Sequence, residues 1–162
     1  MLPFESSFSN DEITRYSKQM LVPSFGVDSQ RKLSKSRALI VGIGGLGSPV
    51  AFYLVGGGVG SVTLVDFDVV EEGNLHRQII HSSSMIGQLK IDSAYETLSR
   101  YSPHSNIEIV DHKISENDDK SEELVGDHDV IVDCSDDMKV KFLLNDLCLK
   151  HSKPLGWKRE RE

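Results

Sequence analysis

The chain has 162 residues, 38% hydrophobic and 27% charged, with a formal net charge of −7. That length suits one domain with a real core, and the acidic balance argues against a general nucleic-acid binder, which needs a basic face. No apolar run approaches the ~20 residues of a membrane span, and the start, "MLPFESSFSN", lacks the basic flank and apolar core of a secretory signal.

In chain order, residues 1 to 8 are expected to be mobile, residues 9 to 157 to form the folded domain, and residues 158 to 162 to be a charged tail. Ser9 and Glu12 fit a capping box that opens a helix running to about 20. A second helix covers about 27 to 35. The apolar run at 38 to 41 reads as a strand covered on both faces. A helix follows over about 45 to 55, with Pro49 in its first turn, where a missing N–H costs little. A second strand spans 62 to 65. Residues 67 to 86 form an irregular connection, long enough to point to a function. The next helix, about 88 to 101, carries Ile91, Ala94, Tyr95, Leu98 and Tyr101 on one face. A third strand spans 107 to 110. The acidic stretch 115 to 129 reads as a solvated loop with a short helix, before a fourth strand at 130 to 132. The last helix, about 138 to 150, turns Val140, Leu143, Leu144 and Leu147 inward, and at most a stub near 154 to 157 follows. Strands alternating with helices predict an α/β fold with a Rossmann-like, doubly wound, mainly parallel sheet behind N-terminal helices. Cys134 and Cys148 fall in apolar settings and read as buried thiols of a reducing, cytoplasmic compartment.

The turn after the first strand, "GIGGLG", sets Gly42, Gly44 and Gly47 at the G-x-G-x-x-G spacing, with Gly45 in addition. The first glycine permits a tight turn, the second lets phosphates approach the backbone, and the third lets helix and strand pack closely. Phosphate would sit on free N–H groups at the helix start. Asp66 ends the second strand, where an acid takes the ribose hydroxyls. To this point NAD and ATP fit equally. The connection favours ATP. Asn74, Arg77, Gln78 and Lys90 offer two amides and two cations to phosphate if the loop folds back, more than a dinucleotide's pyrophosphate needs. A solvated loop with ordinary surface cations is the other reading. His76 and His81 flank Arg77 without other Cys or His at ligand spacing, so they read as structural or exposed rather than as zinc ligands.

A doubly wound sheet of strand order 3-2-1-4 makes the first and fourth strands neighbours, and ligands bind in the crevice beyond their C-terminal ends. The stretch "VIVDCSDDM" would then aim Asp133, Asp136 and Asp137 at the glycine turn. Carboxylates facing phosphates need a cation between them, so Mg²⁺ on Asp136 is expected. Capping the following helix is a second role open to Asp136 or Asp137.

Together these stretches resemble the ThiF/MoeB class of adenylyltransferases, which share their fold with the activating enzymes for ubiquitin and its relatives. The resemblance rests on "RYSKQMLVPSFGVDSQRKL", "LIVGIGGLGSPVAFYLVGGGVGSVTLVDFDVVEEGNLHRQIIH", "IGQLK" and "VDCSDD", and runs from about 13 to 155. It implies an ATP- and Mg²⁺-dependent enzyme that adenylates the C-terminal glycine of a ubiquitin-like sulfur carrier, either the small subunit of molybdopterin synthase or a ubiquitin-related modifier. It further implies that Arg77, Lys90 and Asp136 carry the catalysis. The four glycines would hold phosphate, Asp66 the ribose, Asn74 and Gln78 the nucleotide, and Asp136 the metal. Lys18 would be supplied in trans to the neighbouring subunit of a homodimer. Three positions depart from the class pattern: Lys18 and Lys141 stand where it has arginine, and Asp137 where it has asparagine. The class continues into further strands, a carrier-docking surface and paired C-x-x-C zinc ligands. The domain is therefore expected to be truncated on its C-terminal side and to hold no zinc. A non-catalytic ATP-binding or dimerising fragment, and an NAD-dependent oxidoreductase, remain the alternatives.

Overall fold

A computed structural model describes residues 8–157. The expected mobile start up to residue 7 and the charged tail 158 to 162 lie outside the described residues, while Phe8 is buried. Helix α1, Asn10–Met20, begins with the expected capping box: Ser9 Oγ accepts from the Glu12 N–H at 3.2 Å, and the Glu12 carboxylate accepts from the Ser9 N–H at 2.8 Å. Helix α2 is Gly26–Leu33. The alternating part follows as β1 (Arg37–Val41), α3 (Gly47–Gly57), β2 (Ser61–Asp66), α4 (Lys90–Tyr101), β3 (Asn106–Asp111), α5 (Asp119–Gly126), β4 (Val130–Asp133), α6 (Met138–His151) and β5 (Leu155–Trp157). Two short 3₁₀ turns, Glu72–Asn74 and Ser83–Met85, punctuate the connection from β2 to α4. No described helix is long and apolar enough to cross a membrane.

The strands form one sheet in the order β3-β2-β1-β4-β5, with every neighbouring pair parallel. The expected order of four strands holds, and the stub becomes a true fifth strand, with Leu155 opposite Ile131. Side chains alternate across a strand, so β1 feeds two cores. Ala38 and Ile40 join Val62 and Leu64 under α3 and α4, through Ala51, Val55, Ile91, Ala94 and Leu98. Leu39 and Val41 join Val65 and Ile131 under α5 and α6, through Val125, Val140, Leu144 and Cys148. Helices on both faces make the sheet doubly wound and leave the C-terminal strand ends as the open crevice.

Two expectations shift. Helix α3 starts at Gly47 rather than near Gly45, because the glycine turn needs those residues non-helical. Tyr95 and Tyr101 do not share the buried face of α4 and are nearly half exposed; only Ile91, Ala94 and Leu98 reach the core. Both cysteines are buried free thiols.

Candidate functional site

A cleft of about 600 Å³ opens beyond the C-terminal ends of β1, β2 and β4. Its floor is the glycine turn. Gly42 adopts φ +90°, and a Cβ there would lie 2.9 Å from the Cys134 carbonyl oxygen across the neighbouring strand end. Gly47 packs so closely that a Cβ would fall 2.0 Å from the Gly42 oxygen. Each therefore requires glycine, and the result is a flat backbone surface at the start of α3.

The connection after β2 does fold back over that surface. A Cβ on Gly44 would meet Gln78 Nε2 at 3.5 Å, and one on Gly45 would meet Arg77 Cγ at 3.5 Å. What pins the loop is His81, buried between the turn and α4. Its Nε2 lies 3.0 Å from the Ile43 carbonyl oxygen and its Nδ1 3.0 Å from Ser93 Oγ. A carbonyl only accepts, so Nε2 carries the proton and Nδ1 accepts from the serine. Burial, above all, holds this imidazole below its ordinary pKa. His81 is thus structural and His76 exposed, in line with the sequence reading.

Asp66 is buried at the rim, with one carboxylate oxygen accepting from the Ile43 N–H at 2.6 Å and the other from the Asp68 N–H at 2.9 Å. Each oxygen keeps lone pairs for a hydroxyl. Gln78 is 5% exposed, and its Oε1 is buried with no hydrogen-bond partner among the described residues, although the side chain lines the cleft. A buried polar atom left unpaired is costly, so this amide fits a site completed by a ligand. Lys90, nearly buried at the first position of α4, forms an ion pair with Asp68 at 2.8 Å.

Of the expected residues, Gly42, Gly44, Gly45, Asp66, Arg77, Gln78, Lys90, Asp136 and Asp137 line the cleft. Gly47 shapes it from beneath. Asn74 does not line it; it accepts from Arg77 Nη2 at 2.8 Å and donates to Glu71 at 3.0 Å, and so holds the arginine. Lys18 sits exposed in the last turn of α1, apart from this cleft.

The carboxylates after β4 separate into different roles. Asp133 does not project toward the glycine turn as expected. It is 2% exposed and turned inward, accepting from Ser135 N–H and Oγ (2.9 and 2.6 Å) and from Lys141 Nζ (3.1 Å). Lys141 also donates to the Ser135 carbonyl at 2.7 Å, which closes a ring around the turn. The reason is the pleat: Asp133, the last residue of β4, pairs with Val41, on the side facing α6. Asp137 caps α6 by accepting from the Lys139 N–H at 2.8 Å. Asp136, exposed in the cleft, has no hydrogen bond or ion pair among the described residues and remains free to meet a cation. Cys134 packs against the glycine turn at Gly42 and Gly47, and burial, above all, pushes its thiol up to about 11.

Sequence reasoning missed Asp68, His112 and Lys113 as cleft residues. The strand order carried the signal: β3 lies beside β2, so the residues just past its end face the same crevice. Lys113 rests over the Phe67 ring at 5.3 Å, and His112 bonds Asp118 at 2.6 Å.

Comparison with known proteins gives a consistent picture. The ThiF family profile matches residues 16–157. The adenylyltransferase and sulfurtransferase MOCS3 of Drosophila grimshawi is 46% identical over 147 residues, which cover 91% of this chain and 32% of that protein. The adenylyltransferase and sulfurtransferase UBA4 of Candida albicans is 41% identical, with 90% and 33% covered. The chain thus spans about a third of the length of these curated relatives. Among solved structures, PaaA superposes with a TM-score of 0.83 at 28% identity, covering 94% of this chain and 48% of that one. E. coli MccB, in a structure with AMPCPP and MccA, gives 0.76 at 26%, covering 87% and 43%.

Proposed function

This chain belongs to the ThiF family, and we propose that its cleft binds ATP with Mg²⁺ and forms the nucleotide-binding part of an enzyme that adenylates the C-terminal glycine of a ubiquitin-like sulfur carrier. One observation carries the reading: the loop that follows β2 packs Arg77 and Gln78 onto the glycine turn, in a cleft that Lys90 and the uncommitted carboxylate of Asp136 also line. That is a polyphosphate cradle with a place for a cation. The relatives named as adenylyltransferases, and the MccB structure with AMPCPP, support the choice of ATP.

In this reading Asp66 takes the ribose hydroxyls, and the backbone at Gly44 and Gly45 lies along the phosphates. Arg77, steadied by Asn74, and Lys90 meet the phosphate charge, and Gln78 finds in the ligand the partner it lacks. Mg²⁺ binds through few protein ligands when phosphates and water supply the rest, so the single carboxylate of Asp136 fits it; when bound, the ion neutralises phosphate oxygens. The carrier's terminal carboxylate, ionised at pH 7 with a pKa near ~3.5, attacks the α-phosphorus. A new P–O bond forms, the bond to the α–β bridging oxygen breaks, and pyrophosphate leaves with the electron pair. No general base is needed. Alignment and positive charge on the departing phosphates supply the catalysis. Lys18 would serve the neighbouring copy of a homodimer, in a reducing cytoplasmic setting.

Titration calorimetry of the chain with ATP plus Mg²⁺ and, separately, with NAD tests the reading. ATP is expected to bind and NAD to bind weakly or not at all. Tighter binding of NAD than of ATP with Mg²⁺ would overturn it.

A further inference from the structure

We propose that Asp68 is a positioning residue for Lys90, holding that ammonium in the cleft for the phosphates of ATP. The proposal rests on the ATP reading above. Lys90 sits at an unfavourable place for a cation. It is the first residue of α4 and 7% exposed, so it lies at the positive end of the helix dipole and largely out of water. Such a charge persists only when paired. Asp68 Oδ2, at 2.8 Å, is its hydrogen-bond partner among the described residues. An ammonium has three N–H donors, so donors remain for a ligand in the cleft that both residues line.

The pairing is built into the backbone as well. The Lys90 N–H donates to the Asp68 carbonyl at 2.9 Å, the Val70 N–H to Gln88 at 2.8 Å, and the Gly87 N–H to Val70 at 2.9 Å. Val69 and Leu89 complete an antiparallel bridge, and Gly87 turns the chain back at φ +84°. Residues 68–70 and 87–90 thus form a clip between β2 and α4, with the ion pair at its cleft end. The Asp68 N–H also donates to Asp66 Oδ1 at 2.9 Å. One short turn therefore orients both the ribose acid and the phosphate lysine, and fixes their spacing.

The test is a double-mutant cycle by calorimetry on the 162-residue chain, with ATP plus Mg²⁺ and with adenosine, which lacks phosphate. Asp68→Ala is expected to weaken ATP roughly tenfold and to leave adenosine within about twofold. Asp68→Ala combined with Lys90→Ala is expected to be no worse for ATP than Lys90→Ala alone, because Asp68 acts only through the lysine. The isosteric Asp68→Asn, checked for an unchanged thermal transition, is expected to give the same selective loss and keeps the question answerable if the alanine variant folds poorly. Additive losses would overturn the proposal, since Asp68 would then touch the nucleotide or its metal directly. So would unchanged or tighter ATP binding in Asp68→Asn, or an equal loss of adenosine. A wild-type chain without ATP affinity would sink the nucleotide reading itself. Normal ATP binding in wild type, with a loss in Lys90→Ala but none in either Asp68 variant, would remove only this inference.

Discussion

Asp133, Asp136 and Asp137 show how three carboxylates within five positions take different tasks. Asp133 and Lys141 form an ion pair whose side chains are 1% and 10% exposed. Removing one partner leaves the other charge buried and unpaired, so Asp133→Ala is expected to lower stability by about 3 kcal/mol, measured by urea denaturation. Asp136 has no such structural duty. Asp136→Asn is expected to leave the urea midpoint unchanged and to abolish the gain in ATP affinity from Mg²⁺. A variant that still gained as much as wild type would move the metal to another carboxylate. The sequence reading expected a cap and a metal ligand among this trio, and Asp137 is the cap. It could not foresee the turn of Asp133 inward, because the side of a strand end that faces a helix depends on register, which the pairing of Val41 with Asp133 fixes in space. Cys134, with its thiol raised to about 11, is expected to react with iodoacetamide only slowly at pH 8 in the folded chain.

At the scale of elements, the strongest demand falls on the β1–α3 turn. In Gly47→Ala the new methyl would collide with the Gly42 carbonyl, backbone against backbone, with no flexible side chain to yield. A loss of about 3 kcal/mol is expected, with ATP binding falling alongside it. Gly73→Ala, which meets nothing within 4 Å, serves as the control. Ser9→Ala removes one half of the capping box on α1 and is expected to cost about 1 kcal/mol. Both features were readable from spacing, since capping and tight turns are local. The strands were readable too, as short apolar runs between turn signals. The clip of 68–70 with 87–90 was not: its hydrogen bonds join residues far apart in the chain, and no local pattern announces them. Tyr95 and Tyr101 sit at helical spacing with Leu98 yet stay nearly half exposed, because spacing assigns a face but not how far the neighbouring elements cover it.

For the molecule as a whole, pH reports on buried histidines. His81 and His128 are both buried, His128 bonding Thr63 at 2.7 Å and the Leu124 carbonyl at 2.6 Å. Burial pushes both imidazoles below the ordinary value of 6.5. The unfolded chain therefore takes up protons first as pH falls, so stability present above about pH 6.5 is lost as pH drops toward the folded values. Asp118, lowered chiefly by its bond from Ser121, and Glu122, lowered chiefly by Lys150, act in the same direction at more acid pH. The melting temperature is expected to be level between about pH 7 and 8 and to fall as pH drops below about 6.5; a higher melting temperature at pH 5.5 than at pH 7 would contradict this. The most direct measurement of the nucleotide assignment is a crystal structure of the chain with AMPCPP and Mg²⁺. The expected result is ribose hydroxyls on Asp66, phosphates along Gly44 and Gly45 within reach of Arg77, Gln78 and Lys90, and the ion against Asp136. A nucleotide seated outside this cleft, or one whose phosphates point away from Arg77 and Lys90, would contradict it.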